Sequence, residues 1–299
     1  MMNIKRILGA VHHRINILLL MGYFLIKELK KNKVYVQYSV FGKNLTLNNR
    51  NFGDDINRIL VENLFNKTVI PFKFSLIGNA LNKDKFMCIG SVITMFDLSN
   101  TIVWGTGVLS SQFSLIGKPK KVYAVRGPLT RQYLIERGID CPEVYGDPAL
   151  LLPRIYSPTV EKKYRLGIIA HYLDHKDLRL QNLIERYKSD VLFIDVVNYG
   201  KWKEFINKIL SCEFIISSSL HGLIISDAYE VPNYWCQIKF EMDDDGFKFR
   251  DYFLSVKRNV IKPYIIKHDT TIEELEALKS SWTPIDINID NLVKNCPFI

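Results

Sequence analysis

The stretch IISSSLHGLIISDAYEVP, residues 215–232, sets a histidine where a strand gives way to a helix. Ile215 and Ile216 end a buried apolar run, and Leu220, Leu223, Ile224 and Ala228 then recur at helical spacing. A helix N-terminus disfavours an imidazolium, whereas an anion bound there favours it. An imidazole pulled both ways suits proton transfer near neutral pH, so His221 is the expected catalytic group. Ser217, Ser218 and Ser219, with Leu220 in the same stretch, are expected to contact the anion. The plain alternative is a core histidine satisfied by a backbone carbonyl.

Three other polar clusters fall where strands should end. In NNRNFGDDINRIL, the residues Asn51, Gly53, Asp54 and Asp55 enter a helix. A cap explains one or two such residues, and two adjacent acids leave room for a functional role. In WGTGV, Gly105 and Gly107 form only half of a GxGxxG pattern because position 110 is serine. A dinucleotide fingerprint is therefore unsupported, and close backbone approach to a ligand stays open. In VYAVRGPLTRQYL, Arg126 follows an apolar strand and precedes a Gly-Pro helix start. A guanidinium so placed needs an anion, either a ligand's carboxylate or phosphate or a nearby acid of the chain.

The elements that position these groups alternate. KVYVQYSV, TIVWGTGV and KKVYAV read as strands, DDINRILVENLF as an amphipathic helix, and GPLTRQYLIERG as a helix with Pro128 in its first turn and Gly138 as its stop. SPTVEKKY, residues 157–164, has no core pattern and reads as a linker. Beyond it RLGIIAHY, DVLFIDVV, EFIIS and PNYWCQI alternate with further helical segments. Continuous apolar strands separated by helices imply parallel sheets built from βαβ units. The expected architecture is α/β, two Rossmann-like domains facing a cleft: residues 34–156 and 157–299, after a basic apolar segment over residues 1–33.

The 299 residues are 47% hydrophobic and 24% charged, ordinary for a globular protein. Five scattered cysteines without CxxC give neither a disulfide framework nor a zinc site. A reducing cytoplasm is the expected location. The net charge is +9, of which residues 1–33 carry +6. No nucleic-acid motif accompanies it. INILLLMGYFLI, residues 15–26, is shorter than the roughly 20 residues of a membrane span. Two readings remain for this segment: a helix buried in the protein, or a helix lying on an anionic membrane surface and removable without unfolding the rest.

Taken in order, NFGDD (51–55), VWGTGV (103–108), VRGPLT (125–130), GDPALLLP (146–153) and SSSLHG (217–222) resemble the polysaccharide pyruvyltransferase family. The resemblance runs from about residue 48 to 236 and extends weakly to FKFRDYFLS (247–255), leaving residues 1–33 outside. It implies a GT-B-like fold and transfer of the enolpyruvyl group of phosphoenolpyruvate onto two hydroxyls of one sugar, with release of phosphate. Phosphoenolpyruvate would be the donor substrate, with no cofactor beyond it and no metal requirement. The acceptor would be a glycan of a surface polysaccharide or its lipid-linked precursor. By position, Arg126 would hold the donor and His221 would act in proton transfer. For the chemistry so implied, His221 is the candidate to give the proton and Asp54 or Asp55 are partners for the sugar hydroxyls, an order of roles the residues leave open. Many members carry an arginine where this chain has Ser219, so the resemblance implies another cation, with Lys248 and Arg250 as candidates. The rival readings are a nucleotide-sugar glycosyltransferase of the same architecture and a glycan- or anion-binding module without catalysis.

Overall fold

Strands that are apolar along their whole length need cover on both faces, and the chain arranges this twice. In the computed structural model, residues 2–40, 51–239, 246–260 and 262–299 are described. Residues 48–50, where the resemblance begins, and the side chains of Lys5 and Arg6 lie outside the described residues and side chains. The first half contains α1 (Met2–Glu28), β1 (Lys33–Val36), α2 (Phe52–Phe65), β2 (Thr68–Pro71), α3 (Leu76–Ala80), β3 (Lys85–Met87), β4 (Thr101–Trp104), β5 (Lys121–Ala124) and α4 (Pro128–Ile135). The second contains β6 (Tyr164–Ile169), α5 (Leu178–Arg186), β7 (Val191–Phe193), α6 (Trp202–Leu210), β8 (Cys212–Ser217), α7 (Leu220–Ala228), β9 (Asn233–Gln237), α8 (Phe247–Ser255), β10 (Tyr264–Ile265), α9 (Ile272–Ala277) and α10 (Ile289–Lys294).

Each half builds a five-stranded sheet, ordered β2-β1-β3-β4-β5 in the first and β10-β9-β8-β6-β7 in the second. All strand pairs are parallel. Renumbered within its half, the second order is the reverse of the first, so both sheets share one topology. In each, the first and third strands are neighbours and the chain leaves them towards opposite edges. That point is where open α/β sheets leave a crevice at the strands' carboxyl ends. Local signals behave as expected at α4, where Pro128 opens the helix and Gly138, at φ +69°, follows its last turn. Strands β2 and β10 and helices α3, α9 and α10 carry too little periodicity to be read from the sequence.

Helix α1 is buried along one side and exposes apolar side chains along the other. Leu20 and Phe24 are buried in the main core, and the Phe24 ring stacks on Phe74 at 6.1 Å. Glu28 is buried as well, accepting hydrogen bonds from Ser75 Oγ and from the backbone N–H groups of Ile77 and Gly78. Val11, Ile15, Leu18, Leu19, Ile26 and Leu29 point outward and are exposed. The expectation that residues 1–33 can be removed without loss is therefore corrected. Each buried side chain of this size contributes about 1.5–3 kcal/mol by leaving water, and truncation would strip both from the core. Among the described residues no helix is long and apolar enough to cross a membrane.

Two segments from beyond residue 240 return to the first half. Helix α8 packs on α4, and the end of the chain packs on β3 and β4. There Trp104 Nε1 donates to the carbonyl of Leu292 at 3.0 Å. The Phe298 ring sits 4.7 Å from Phe86 and 5.9 Å from Trp104. The linker boundary at 156/157 thus separates the sheets but not the packing units.

Candidate functional site

The two crevices meet in one cavity of about 1030 Å³. Ser39 follows β1, Gly90 and Ser91 follow β3, His171 follows β6, and Ser219, Leu220 and His221 follow β8; all line it. Asn51, Asp54, Tyr172, His175, Lys176, Asn198, Lys239 and Lys248 extend the polar lining. Among the described residues three lysines face a single carboxylate there, so this lining favours an anion.

His221 sits in the first turn of α7 with its side chain 15% exposed. Its Nε2 lies 3.8 Å from Asp147 Oδ2, and neither atom has a hydrogen-bond partner among the described residues. Burial, then Arg126 and Lys248, push the imidazole down to about 3. The ring is therefore neutral, and at 3.8 Å the contact is neither an ion pair nor a hydrogen bond. Asp147 is wholly buried at the start of a 3-10 turn over residues 148–154, accepting from Ala149 N at 2.9 Å. Burial pushes its carboxyl up to about 7.

The cluster at the start of α2 divides its work residue by residue. Asn51 is the cap, accepting from Gly53 N at 3.0 Å. Phe52 enters the second half, its ring stacked on Phe205 at 3.9 Å and its N–H donated to Val196 O at 2.8 Å. Gly53 makes room for the catalytic candidate: a Cβ there would stand 2.2 Å from His221 Nδ1. Asp55 is buried and accepts from the Tyr199 hydroxyl, away from the cavity. Only Asp54 of the two acids lines the cavity, and burial followed by the charge of Asp55 pushes it up to about 7.

The three serines separate in the same way. Ser217 Oγ donates within the backbone, its acceptors including Ile169 O and Ser219 O at 2.8 Å, and it accepts from Ser219 N. Ser218 Oγ donates to Asp174 and accepts from His171 N. These two hydroxyls shape the turn between β8 and α7 and do not line the cavity, which corrects the expectation of three anion contacts. Ser219 and Leu220 do line it.

Arg126 stands one layer behind the cavity wall. Its side chain is fully buried: Nε donates to Asp251 Oδ2 at 3.0 Å, Nη1 to Ser91 Oγ at 2.5 Å and Nη2 to Val108 O at 2.7 Å. The anion that the sequence demanded is Asp251, on α8. The same carboxylate accepts from Thr130 N and Thr130 Oγ1, capping α4. Gly107 lies against this guanidinium, a Cβ there falling 2.4 Å from its Cζ. Gly105, at φ +91°, packs on Pro148. Neither glycine lines the cavity; both let the backbone close on the groups behind it. Ser91, the acceptor of Nη1, is the point where Arg126 meets the lining.

Lys248 reaches the cavity from the start of α8, and burial, then Arg126, push its ammonium down to about 8. Arg250, two residues on, does not line it. His171, His175, Lys176, Lys239 and Asp147 were not singled out from the sequence. His171 ends GIIAHY, and so follows β6 as closely as the SSSLHG stretch follows β8; the strand-end rule applied to both halves finds it. Its imidazole is pushed down to about 4 by burial, then by Lys248 and His175. Among the described residues no group of three or more His, Cys, Asp or Glu could hold a metal ion.

The sequence matches the polysaccharide pyruvyl transferase family over residues 19–238. The match begins inside α1, earlier than the motifs alone indicate. Among curated proteins it is similar to the uncharacterized protein L143 of Acanthamoeba polyphaga mimivirus, 28% identical over 87% of this chain and 88% of that one. It is also similar to the succinoglycan biosynthesis protein ExoV of Rhizobium meliloti, 26% identical over 68% of this chain and 60% of that protein. Among solved structures, an uncharacterized protein of Klebsiella pneumoniae aligns with a TM-score of 0.43 at 12% identity, covering 82% of this chain and 96% of that one. A match across most of the chain, taking in both sheets' crevices and the NFGDD, VRGPLT and SSSLHG segments, makes this chain a member of the polysaccharide pyruvyl transferase family.

Proposed function

We propose that the chain transfers the enolpyruvyl group of phosphoenolpyruvate onto two hydroxyls of one sugar, forming a pyruvate ketal. The observation that carries this reading is the lining of the cavity: among the described residues, Lys176, Lys239 and Lys248 stand against one carboxylate, beside an imidazole with an unpartnered nitrogen. Fixed cations in a partly dehydrated cavity suit a trianionic donor. The acceptor is a glycan, in keeping with the relative named for succinoglycan biosynthesis; its five cysteines, all free and buried, fit work in a reducing cytoplasm. The two halves around the cavity would act as a GT-B-like pair.

In this mechanism a proton is added to the methylene carbon of the donor, and the cation formed at the adjacent carbon is attacked by the first hydroxyl. Phosphate leaves, and the second hydroxyl closes the ketal. The two hydroxyl protons balance the methyl group formed and the phosphate released. The cavity already separates two proton carriers, since Asp54 is held protonated to about pH 7 and His221 is held neutral. Such a pair divides the work of donor and acceptor: Asp54 gives the proton and the His221 imidazole receives one from a hydroxyl. Asp147, 3.8 Å behind His221, would orient the ring only by closing to hydrogen-bond distance as the substrates bind.

Phosphate release from phosphoenolpyruvate, with glycan acceptors present and pyruvate addition read by mass, tests the reaction. Release of nucleoside diphosphate from a nucleotide sugar instead would assign the glycosyltransferase reading. Binding of phosphoenolpyruvate and glycan with no product would leave a binding module. At limiting donor, the rate should fall as pH rises through about 7, where Asp54 loses its proton. A rate that climbs through this range would take the donor role from Asp54.

Gly53→Ala should cut turnover about a hundredfold, the cost of displacing a reacting group by about 1 Å. Alanine is the better helix former, so a loss of rate without a loss of helix content would locate the effect at the imidazole. Steady-state rates and far-ultraviolet circular dichroism on the same preparation check it. Near-normal turnover would mean that the ring's position does not matter.

A further inference from the structure

We propose that the outward face of α1 docks the protein on the surface of an anionic lipid membrane. The inward face of this helix is fixed by Leu20, Phe24 and Glu28, so its outward face is a platform of set orientation. Ile15, Leu18, Leu19, Ile26 and Leu29 form a continuous stripe along it, with Leu18 67%, Ile26 71% and Leu29 75% exposed. From Ile15 to Leu29 the stripe extends about 21 Å at 1.5 Å per residue, and no acid interrupts it. A monomer gains nothing by holding so many large apolar groups in water on one face.

Charge selects the occupant. Residues 1–33 contain seven lysines and arginines and one acid, and that acid, Glu28, is turned into the core. Every formal charge that the described side chains of this segment present outward is therefore positive. Arg14, Lys27 and Lys30 border the stripe on either side, at the positions where basic groups of a surface-lying helix meet lipid phosphates. A second copy of the chain pairing through the same stripe would set these like charges against one another. With no described helix able to cross a membrane, the geometry is that of a helix lying on the bilayer, and it stands apart from the reaction assigned to the cavity.

Flotation of the full-length chain with phosphatidylcholine vesicles, with and without phosphatidylserine, tests this surface. The chain should float with the phosphatidylserine vesicles, and raised salt should release it. The double variant Leu18→Glu, Ile26→Glu should float at least about tenfold less, since binding scales with the apolar area inserted. Its thermal midpoint should hold, because both side chains point to solvent. If that variant does not fold, Lys30→Glu with Lys31→Glu gives the same reading from the basic border. Failure of the wild-type chain to float, or equal flotation of the variants, would overturn the proposal. So would a dimer in solution that the same substitutions dissociate without any vesicle binding.

Discussion

His221→Gln should lower turnover by about a hundred- to ten-thousandfold, the usual worth of a positioned proton carrier, while the protein stays folded and still binds donor. Glutamine keeps a polar group near Asp147 and the start of α2 but carries no proton between partners. Stability gives an independent readout. The imidazole is depressed from 6.5 to about 3 in the folded chain, so between these values the unfolded chain binds a proton that the folded one refuses. Stability contributed by the neutral ring is thus present above about pH 6.5 and is lost as pH falls towards 3. The glutamine variant should lose that acid-side dependence. A variant with near-normal kcat at saturating donor would remove His221 from the chemistry. A variant with lost activity but unchanged acid sensitivity would mean that the ring is not buried in its neutral form.

Asp251→Ala should destabilise the fold by about 3–5 kcal/mol, the cost of leaving a buried charge without its partner. Both side chains of the Arg126–Asp251 pair are fully buried, so water cannot take the place of the lost carboxylate. Thr130 N and Thr130 Oγ1 lose their acceptor in the same substitution, uncapping α4. The midpoint of urea unfolding measures this, and an unchanged midpoint would show that the pair carries no structural weight. Arg126→Lys separates the two roles considered for the arginine. An ammonium cannot reach Asp251, Ser91 and Val108 together, so stability should fall as well. Weakened donor binding with an unchanged unfolding midpoint would instead return Arg126 to the donor site.

Much of the scaffold was legible because its signals are local. Pro128 and Gly138 mark the ends of α4, and the spacing of Ile56, Ile59 and Leu60 marks the buried side of α2. His221 was legible for the same reason, as it lies within one strand-to-helix turn. Arg126 was only half legible. The sequence shows that a cation there needs an anion, but the acid that meets it comes 125 residues later and belongs to the other half by chain order. The serines misled because a hydroxyl's sequence position does not say whether its partner is a ligand or the neighbouring backbone. Lys176 and Lys239 were hidden among many other lysines, and only the packing of the halves separates Lys248, a candidate from the resemblance, from Arg250. In α1 the two readings were treated as rivals, although a helix can bury one side and expose another apolar side.

The return of the chain's end to the first half bears on how the protein is made. Trp104 and the carbonyl that accepts its indole N–H are separated by 188 residues, and Phe298, which covers Phe86 and Trp104, follows the whole second sheet in the chain. Domains commonly fold in order as they leave the ribosome. Here the first sheet emerges early yet waits for its last aromatic cover until the second sheet has been made. The nascent first half therefore spends the synthesis of the second with β3 and β4 partly uncovered, which makes the arrival of Leu292 and Phe298, and not completion of the first sheet, the event that closes the core.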